Sequence, residues 1–105
     1  MYPLRCLSLS ESIPSGINVW LLEFDLELPV LDSELMLLSP EERRHAQCFR
    51  RQEDRVRSVA TRAALRRLLG AQLVLPPDRL RFVVNAYGKP RLESESEIEF
   101  NVSHA

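Results

Sequence analysis

Residues 49–70 read FRRQEDRVRSVATRAALRRLLG, and the division of this stretch between apolar and cationic positions decides the fold. Val56, Val59, Ala60 and Ala63 recur at the i, i+3, i+4, i+7 spacing of a helical face packed on a core, so the spacing predicts one long helix over 49–70. At about 100° per residue, Arg55, Arg62 and Arg66 fall within a sector of roughly 40°, while Leu65, Leu68 and Leu69 occupy other sides. Little purely solvated surface remains, so the helix serves both a core and a cationic face. Gly70, directly after the last leucines, reads as a C′ stop, because glycine reaches the left-handed conformation without a Cβ penalty.

Upstream of this helix, Ser39-Pro40-Glu41-Glu42 carries the signs of a helix start. Ser39 is the N-cap, proline sits where its missing N–H costs nothing, and Glu42 at N3 completes a capping box. A helix from there to about Cys48 presents Arg43, Arg44 and His45. Leu31, Leu35 and Leu38 stand at helical spacing and predict a short helix over 31–38. Residues 17–24 (INVWLLEF) are rich in strand formers and apolar on both faces, as in a central strand. Residues 1–16 read as a loosely ordered lead-in ending in the turn Pro14-Ser15-Gly16. Downstream, Pro76-Pro77 ends the helical region, 80–84 (LRFVV) and 98–102 (IEFNV) alternate as strands, and 85–90 (NAYGKP) form a turn. The expected class is α+β: one domain over 17–105, a small, mainly antiparallel three-stranded sheet packed by the long helix.

Composition narrows the function. Over 105 residues the net charge is only −1, yet 43–67 hold nine arginines against Glu53 and Asp54, a local balance of +7. Glu93, Glu95, Glu97 and Glu99 form an acidic run that reads as a solvated loop. Clustered arginines ordinarily make a solvated face with i, i+4 partners, but acidic partners on the same segment are too few here. An anion site is the sharper reading, and thirteen of fourteen basic residues are arginine, the better fork for phosphate. The near-neutral total and an aromatic content of 7% argue against an extended nucleic-acid track and favour a compact polyphosphate. Cys6 and Cys48 match neither a zinc spacing nor a CxxC pair and read as thiols. No aliphatic run is long enough for a bilayer span or a signal-peptide core, so the expected location is the cytoplasm.

Tyr87-Gly88-Lys89-Pro90 serves as a bare turn or as a place where glycine lets the backbone approach a planar ring beside one mobile charge. His104 after Ser103 is either an exposed terminal residue or a donor to phosphate. No pair of inward carboxylates for magnesium is evident in the sequence.

In their order, Leu38-Ser39-Pro40-Glu41-Glu42 with basic residues after it, Phe49, Glu53-Asp54 and the arginine-rich helix, Tyr87-Gly88-Lys89-Pro90, and Phe100-Asn101-Val102-Ser103-His104 resemble the N-terminal half of a 4′-phosphopantetheinyl transferase of the surfactin-synthetase-activating type. That resemblance implies transfer of phosphopantetheine from coenzyme A to a serine of acyl or peptidyl carrier proteins, with Mg2+ on the diphosphate, in a pseudo-dimer of two similar α+β halves. It implies that Tyr87, Gly88, Lys89 and Pro90 line the adenine and ribose-phosphate pocket. Ser103 and His104 would contact coenzyme A phosphates, with Ser58 and Arg57 at the 3′-phosphate. Four residues before Phe49, where the family often has lysine or arginine, stands His45, so Arg44 or Arg43 is expected to take over that charge.

The family continues after Ser-His with a glycine, a Gly-Val-Asp-x-Glu strand and a Trp-x-x-Lys-Glu helix that supply magnesium ligands and the catalytic base. None of these occurs in the 105 residues. Positioning and metal-assisted charge neutralisation carry most of phosphoryl-type transfer, so this stretch alone is expected to be inactive. It is also expected to expose apolar surface that the other half, or self-association, would cover. Two readings from other classes compete: a polyanion- or RNA-binding module using the arginine helix, and an interaction module that adds a strand to a partner sheet.

Overall fold

The computed structural model describes residues 2–7, 17–84, 90–93, 98 and 100–102. In chain order these form β1 (Leu4–Leu7), β2 (Val19–Leu22), α1 (Asp32–Leu35), α2 (Pro40–Gln47), α3 (Gln52–Leu73), a 3₁₀ turn (Pro77–Arg79), β3 (Phe82–Val84) and β4 (Pro90–Leu92). The strands make two antiparallel pairs, β1 with β2 (Leu4↔Leu22 to Leu7↔Val19) and β3 with β4 (Phe82↔Leu92 to Val84↔Pro90).

Helix α3 is the axis of the fold because it is apolar on more than one side. Val59 and Ala63 pack with Leu38 and Ala46, joining α3 to α2 and the turn after α1. Leu65 and Leu69 pack with Leu80 and Leu92, seating the β3–β4 hairpin, with Phe82, Ile98 and Phe100 around them. Ala60, Ala64 and Arg67 face Tyr2, Leu4 and Leu22, where the β1–β2 hairpin leans on the helix across a narrow cleft. Small residues at Ala46, Ala60 and Ala63, all essentially buried, let these elements approach the helix closely.

The α+β class expected from the sequence is present, but the single three-stranded sheet is not. Ala60 and Ala64 lie roughly 100–180° around α3 from Leu65 and Leu69, so the two hairpins sit on separate flanks of a rod about 10 Å thick and cannot share a ladder. The strand read as central, 17–24, is the four-residue β2, with β1 alone beside it among the described residues and Val19, Trp20 and Leu21 exposed. Its partner β1 comes from the stretch read as a lead-in. Residues 98–102 keep their alternation, since Ile98 and Phe100 pack on the second core, but their described positions form no strand. Pro90 opens β4 rather than closing a turn, a place proline tolerates because the first strand residue can forgo its N–H.

Gly70 is also read differently. The helix continues past it to Leu73, and Gly70 is buried within it. A Cβ added at Gly70 would lie 2.8 Å from the Leu75 carbonyl oxygen, so glycine is needed there for room, not for a turn. The chain leaves α3 at Val74, which takes the left-handed conformation (φ 55°, ψ 47°), and Leu75 donates its N–H to Gly70 O at 2.9 Å. A β-branched residue pays about 1–2 kcal/mol for that conformation, and glycine returns part of the gain as chain entropy. Val74 is 88% exposed, so little packing opposes its replacement. Val74→Gly is therefore expected to stabilise the fold by about 1 kcal/mol, seen as a higher urea midpoint at unchanged slope. An unaltered or lower midpoint would show that Val74 is not strained.

Candidate functional site

The capping box that starts α2 reaches far beyond its own turn. Ser39 Oγ accepts the Glu42 N–H at 3.2 Å, and Glu42 Oε1 accepts the Ser39 N–H at 2.8 Å. The same oxygen accepts Arg66 Nε at 2.9 Å and Nη2 at 2.5 Å, while Oε2 pairs with Arg62 Nη1 at 3.1 Å. Arg66 Nη1 donates to the carbonyls of Pro77 at 2.9 Å and Leu80 at 2.7 Å. Arg66 is only 2% exposed, and a buried charge is tolerated when it is paired and hydrogen-bonded in this way. The acidic partners that the cationic face lacks on its own helix thus arrive from elsewhere. Glu42 serves Arg62 and Arg66, and Glu34, itself buried, serves Arg67. Arg55 donates to Phe49 O at 2.7 Å.

Phe82 is where the separate segments meet. The guanidinium carbons of Arg62 and Arg66 lie 4.9 and 5.2 Å from its ring centroid, and Phe100 meets it edge-on at 6.0 Å and 90°. Leu80 meets Arg66 through its carbonyl, and Phe82 lies beside both Arg62 and Arg66, so the start of β3 is seated on this part of α3.

Of the residues expected to contact coenzyme A, Ser58 is half-buried on α3, one turn before Arg62. At four residues' separation the two are about 40° apart, whereas Arg57 is about 100° from Ser58. Arg57 pairs with Asp54 at 3.1 Å. Arg43 is exposed and turned back on α1, donating to Leu35 O at 2.9 Å and Met36 O at 3.5 Å. Arg44 is exposed, and His45 meets the Phe49 ring edge-on at 5.2 Å and 80°. Pro90 begins β4. Tyr87, Gly88, Lys89, Ser103 and His104 lie outside the described residues; the chain carries the first three between Val84 and Pro90 and the last two directly after Val102. The structure thus gathers Arg62, Arg66, Phe82, Phe100 and the β3–β4 hairpin on one flank of α3, with Ser58 one turn before Arg62 on the helix, and leaves Arg43 and Arg57 engaged with their own neighbours. Sequence reasoning missed Glu42 as a shared partner of Arg62 and Arg66 and Phe82 as the ring on which these cations meet.

Burial is the strongest influence on Arg62 and lowers its pKa; Arg66 pushes the same way, and Glu42 opposes both.

The family model described as "4'-phosphopantetheinyl transferase, N-terminal" matches residues 29–105. The chain belongs to the 4′-phosphopantetheinyl transferase family. It is 35% identical over 90 residues to the "Putative 4'-phosphopantetheinyl transferase slr0495" of Synechocystis sp., an alignment covering 84% of this chain and 36% of that one. It is 33% identical over 92 residues to the 4′-phosphopantetheinyl transferase HetI of Nostoc sp., covering 85% and 39%. The chain therefore spans little more than a third of the length of these transferases. No solved structure matches it.

The magnesium that the resemblance implies finds no donor set among the described residues. No three His, Cys, Asp or Glu side chains come together there, and Glu34 and Glu42 are already committed to arginines. Neither Cys6 nor Cys48 forms a disulfide, and no helix among the described residues is long and apolar enough to cross a membrane.

Proposed function

We propose that this phosphopantetheinyl transferase domain carries the part of the coenzyme A pocket that holds the adenine and the phosphates. In the intact transferase the serine hydroxyl of a carrier protein would attack the β-phosphorus of coenzyme A. As the P–O bond to the adenosine diphosphate breaks, the phosphopantetheinyl group would pass to that oxygen, the hydroxyl proton would go to a base and 3′,5′-adenosine diphosphate would leave, its charge offset by Mg2+ on residues outside the described set. The observation that carries the reading is the convergence on Phe82. Three segments picked out in the sequence, the arginine-rich helix α3 through Arg62 and Arg66, the β3–β4 hairpin and the segment from Phe100, meet at one ring. A ligand spanning adenine, ribose and phosphates requires such a meeting of loop and helix. Tyr87, Gly88, Lys89, Ser103 and His104 follow in the chain from elements already brought to this flank.

Calorimetric titration of the chain with coenzyme A and with dephospho-coenzyme A, at two salt concentrations, tests this. Binding is expected to be weak, to depend on the 3′-phosphate and to be lost in Lys89→Ala and in His104→Ala. A ligand that neutralises few charges should respond to salt with a shallow slope. Failure to bind either compound, together with steeply salt-dependent binding of a short RNA, would favour the polyanion reading instead. Arg44, Arg50 and Arg51, all exposed, would then be the contact residues.

A further inference from the structure

The outer edge of β2 is open. Glu23 donates its N–H to Pro3 O at 3.2 Å, one step beyond the Leu4↔Leu22 pair. In an antiparallel ladder the residues that bond across one edge alternate, so Glu23, Leu21 and Val19 turn their N–H and C=O toward β1. Asn18, Trp20 and Leu22 turn theirs the other way, and no described residue pairs along that edge. The side chains beside it are apolar: Ile17, Val19, Trp20 and Leu21 are all exposed, Trp20 at 41%. Both strands of this hairpin precede residue 29, where the match to the family model begins, so the family domain does not account for this edge.

We infer that two copies of this chain pair through β2, edge to edge and antiparallel about a two-fold axis at Trp20, joining two hairpins into one four-stranded sheet. The occupant follows from the fit of the strand to itself. A two-fold axis perpendicular to a sheet sets each residue opposite one on the same face. Pairing centred on Trp20 therefore matches Trp20 with Trp20, Val19 with Leu21 and Asn18 with Leu22 of the second copy. This register uses every outward N–H and C=O from 18 to 22. Within 17–24 the one charged residue is Glu23, which already pairs with Arg5 at 3.2 Å. It would stand opposite Ile17 of the second copy, so no like charges meet. Lysine and proline, which commonly blunt edge strands, are absent from 17–24. A two-stranded hairpin is marginal in water, and a four-stranded sheet with aromatic and aliphatic pairs across its centre removes that weakness. The inference is independent of the coenzyme A reading, which concerns the opposite hairpin.

Sedimentation equilibrium of the whole chain over a wide range of concentration tests it. Fluorescence gives a second reading, since Trp20 is the chain's one tryptophan. The mass should rise from one copy to two with concentration, and the emission should move to shorter wavelength along the same curve. Trp20→Lys sets like charges opposite each other at the axis and is expected to weaken association by about tenfold or more. Trp20→Phe keeps an aromatic pair and should still associate. Val84→Lys, at an apolar position of the other hairpin that is also exposed, should leave association unchanged. If Trp20→Lys loses its fold by circular dichroism, amide exchange of the native chain decides instead. The outward N–H groups of Trp20 and Leu22 should exchange freely in dilute solution and slowly at high concentration; rates that ignore concentration would overturn the inference. A monomer at every concentration would also overturn it, leaving the edge to another protein's strand or to a further part of a longer transferase. So would a dimer that a folded Trp20→Lys leaves intact.

Discussion

Arg66→Ala is expected to cost about 3–5 kcal/mol, because it strands Glu42 without its principal counter-ion in a largely buried place. Three things are lost together. The Glu42 oxygen that closes the capping box of α2 loses two charged donors, the carbonyls of Pro77 and Leu80 lose a shared one, and Phe82 loses one of its two cations. For a domain of this size, each kcal/mol moves the thermal midpoint by about 4–8 °C, so a fall of roughly 15 °C or more should be seen. Urea unfolding of the single variant and of Arg66→Ala/Glu42→Gln isolates the cause. Neutralising the carboxylate should recover part of the loss, since an unpaired buried charge costs more than an unpaired amide. A single variant within about 1 kcal/mol of the parent would mean that water replaces Arg66 at Glu42, and the picture of a closed network would be wrong.

Leu69→Ala is expected to destabilise by about 2–5 kcal/mol, the range for removing a packed leucine and leaving a cavity. Leu69 is 4% exposed and packs with Leu65, Leu80 and Leu92, so the cavity opens directly under the β3–β4 hairpin. Leu38→Ala removes a leucine equally buried, at 4% exposed, in the other core, beside Val59 and Ala63. The pair makes a controlled comparison. Both variants should lose similar stability, but under conditions where both remain folded only Leu69→Ala should weaken coenzyme A binding. Equal losses of affinity would show that the hairpin's seating on α3 does not govern the pocket.

What could be read in the sequence was what local chemistry determines. Ser39, Pro40 and Glu42 give the start of α2 because a capping box is made within one turn. Val56, Val59, Ala60 and Ala63 give the buried stripe of α3 because it follows from the helical period. The alternation of Ile98 and Phe100 identified core residues, though not a strand. What stayed hidden depended on distant parts of the chain. Glycine that makes a turn and glycine that makes room look the same in sequence, so the approach of the Leu75 carbonyl to Gly70 could not be anticipated. The partners of Arg62, Arg66 and Arg67 lie 20, 24 and 33 residues away, beyond any i, i+4 rule. Only the packing of each hairpin reveals which flank of α3 it chooses, and that choice splits one expected sheet into two. Ser58 enters the candidate site from the resemblance alone, whereas the sharing of Glu42 between Arg62 and Arg66 shows only in the packing.

The placing of the hairpins on separate flanks also bears on how the molecule opens. A lone two-stranded hairpin is marginal in water, so each depends on its own stripe of α3 for persistence, and neither lends the other a hydrogen bond. Such units exchange their amide protons as separate cooperative segments. The amides of β3 and β4 therefore report on one side of the helix and those of β1 and β2 on the other. A nucleotide held against Phe82 would slow exchange in the first pair while the second continued at its own rate.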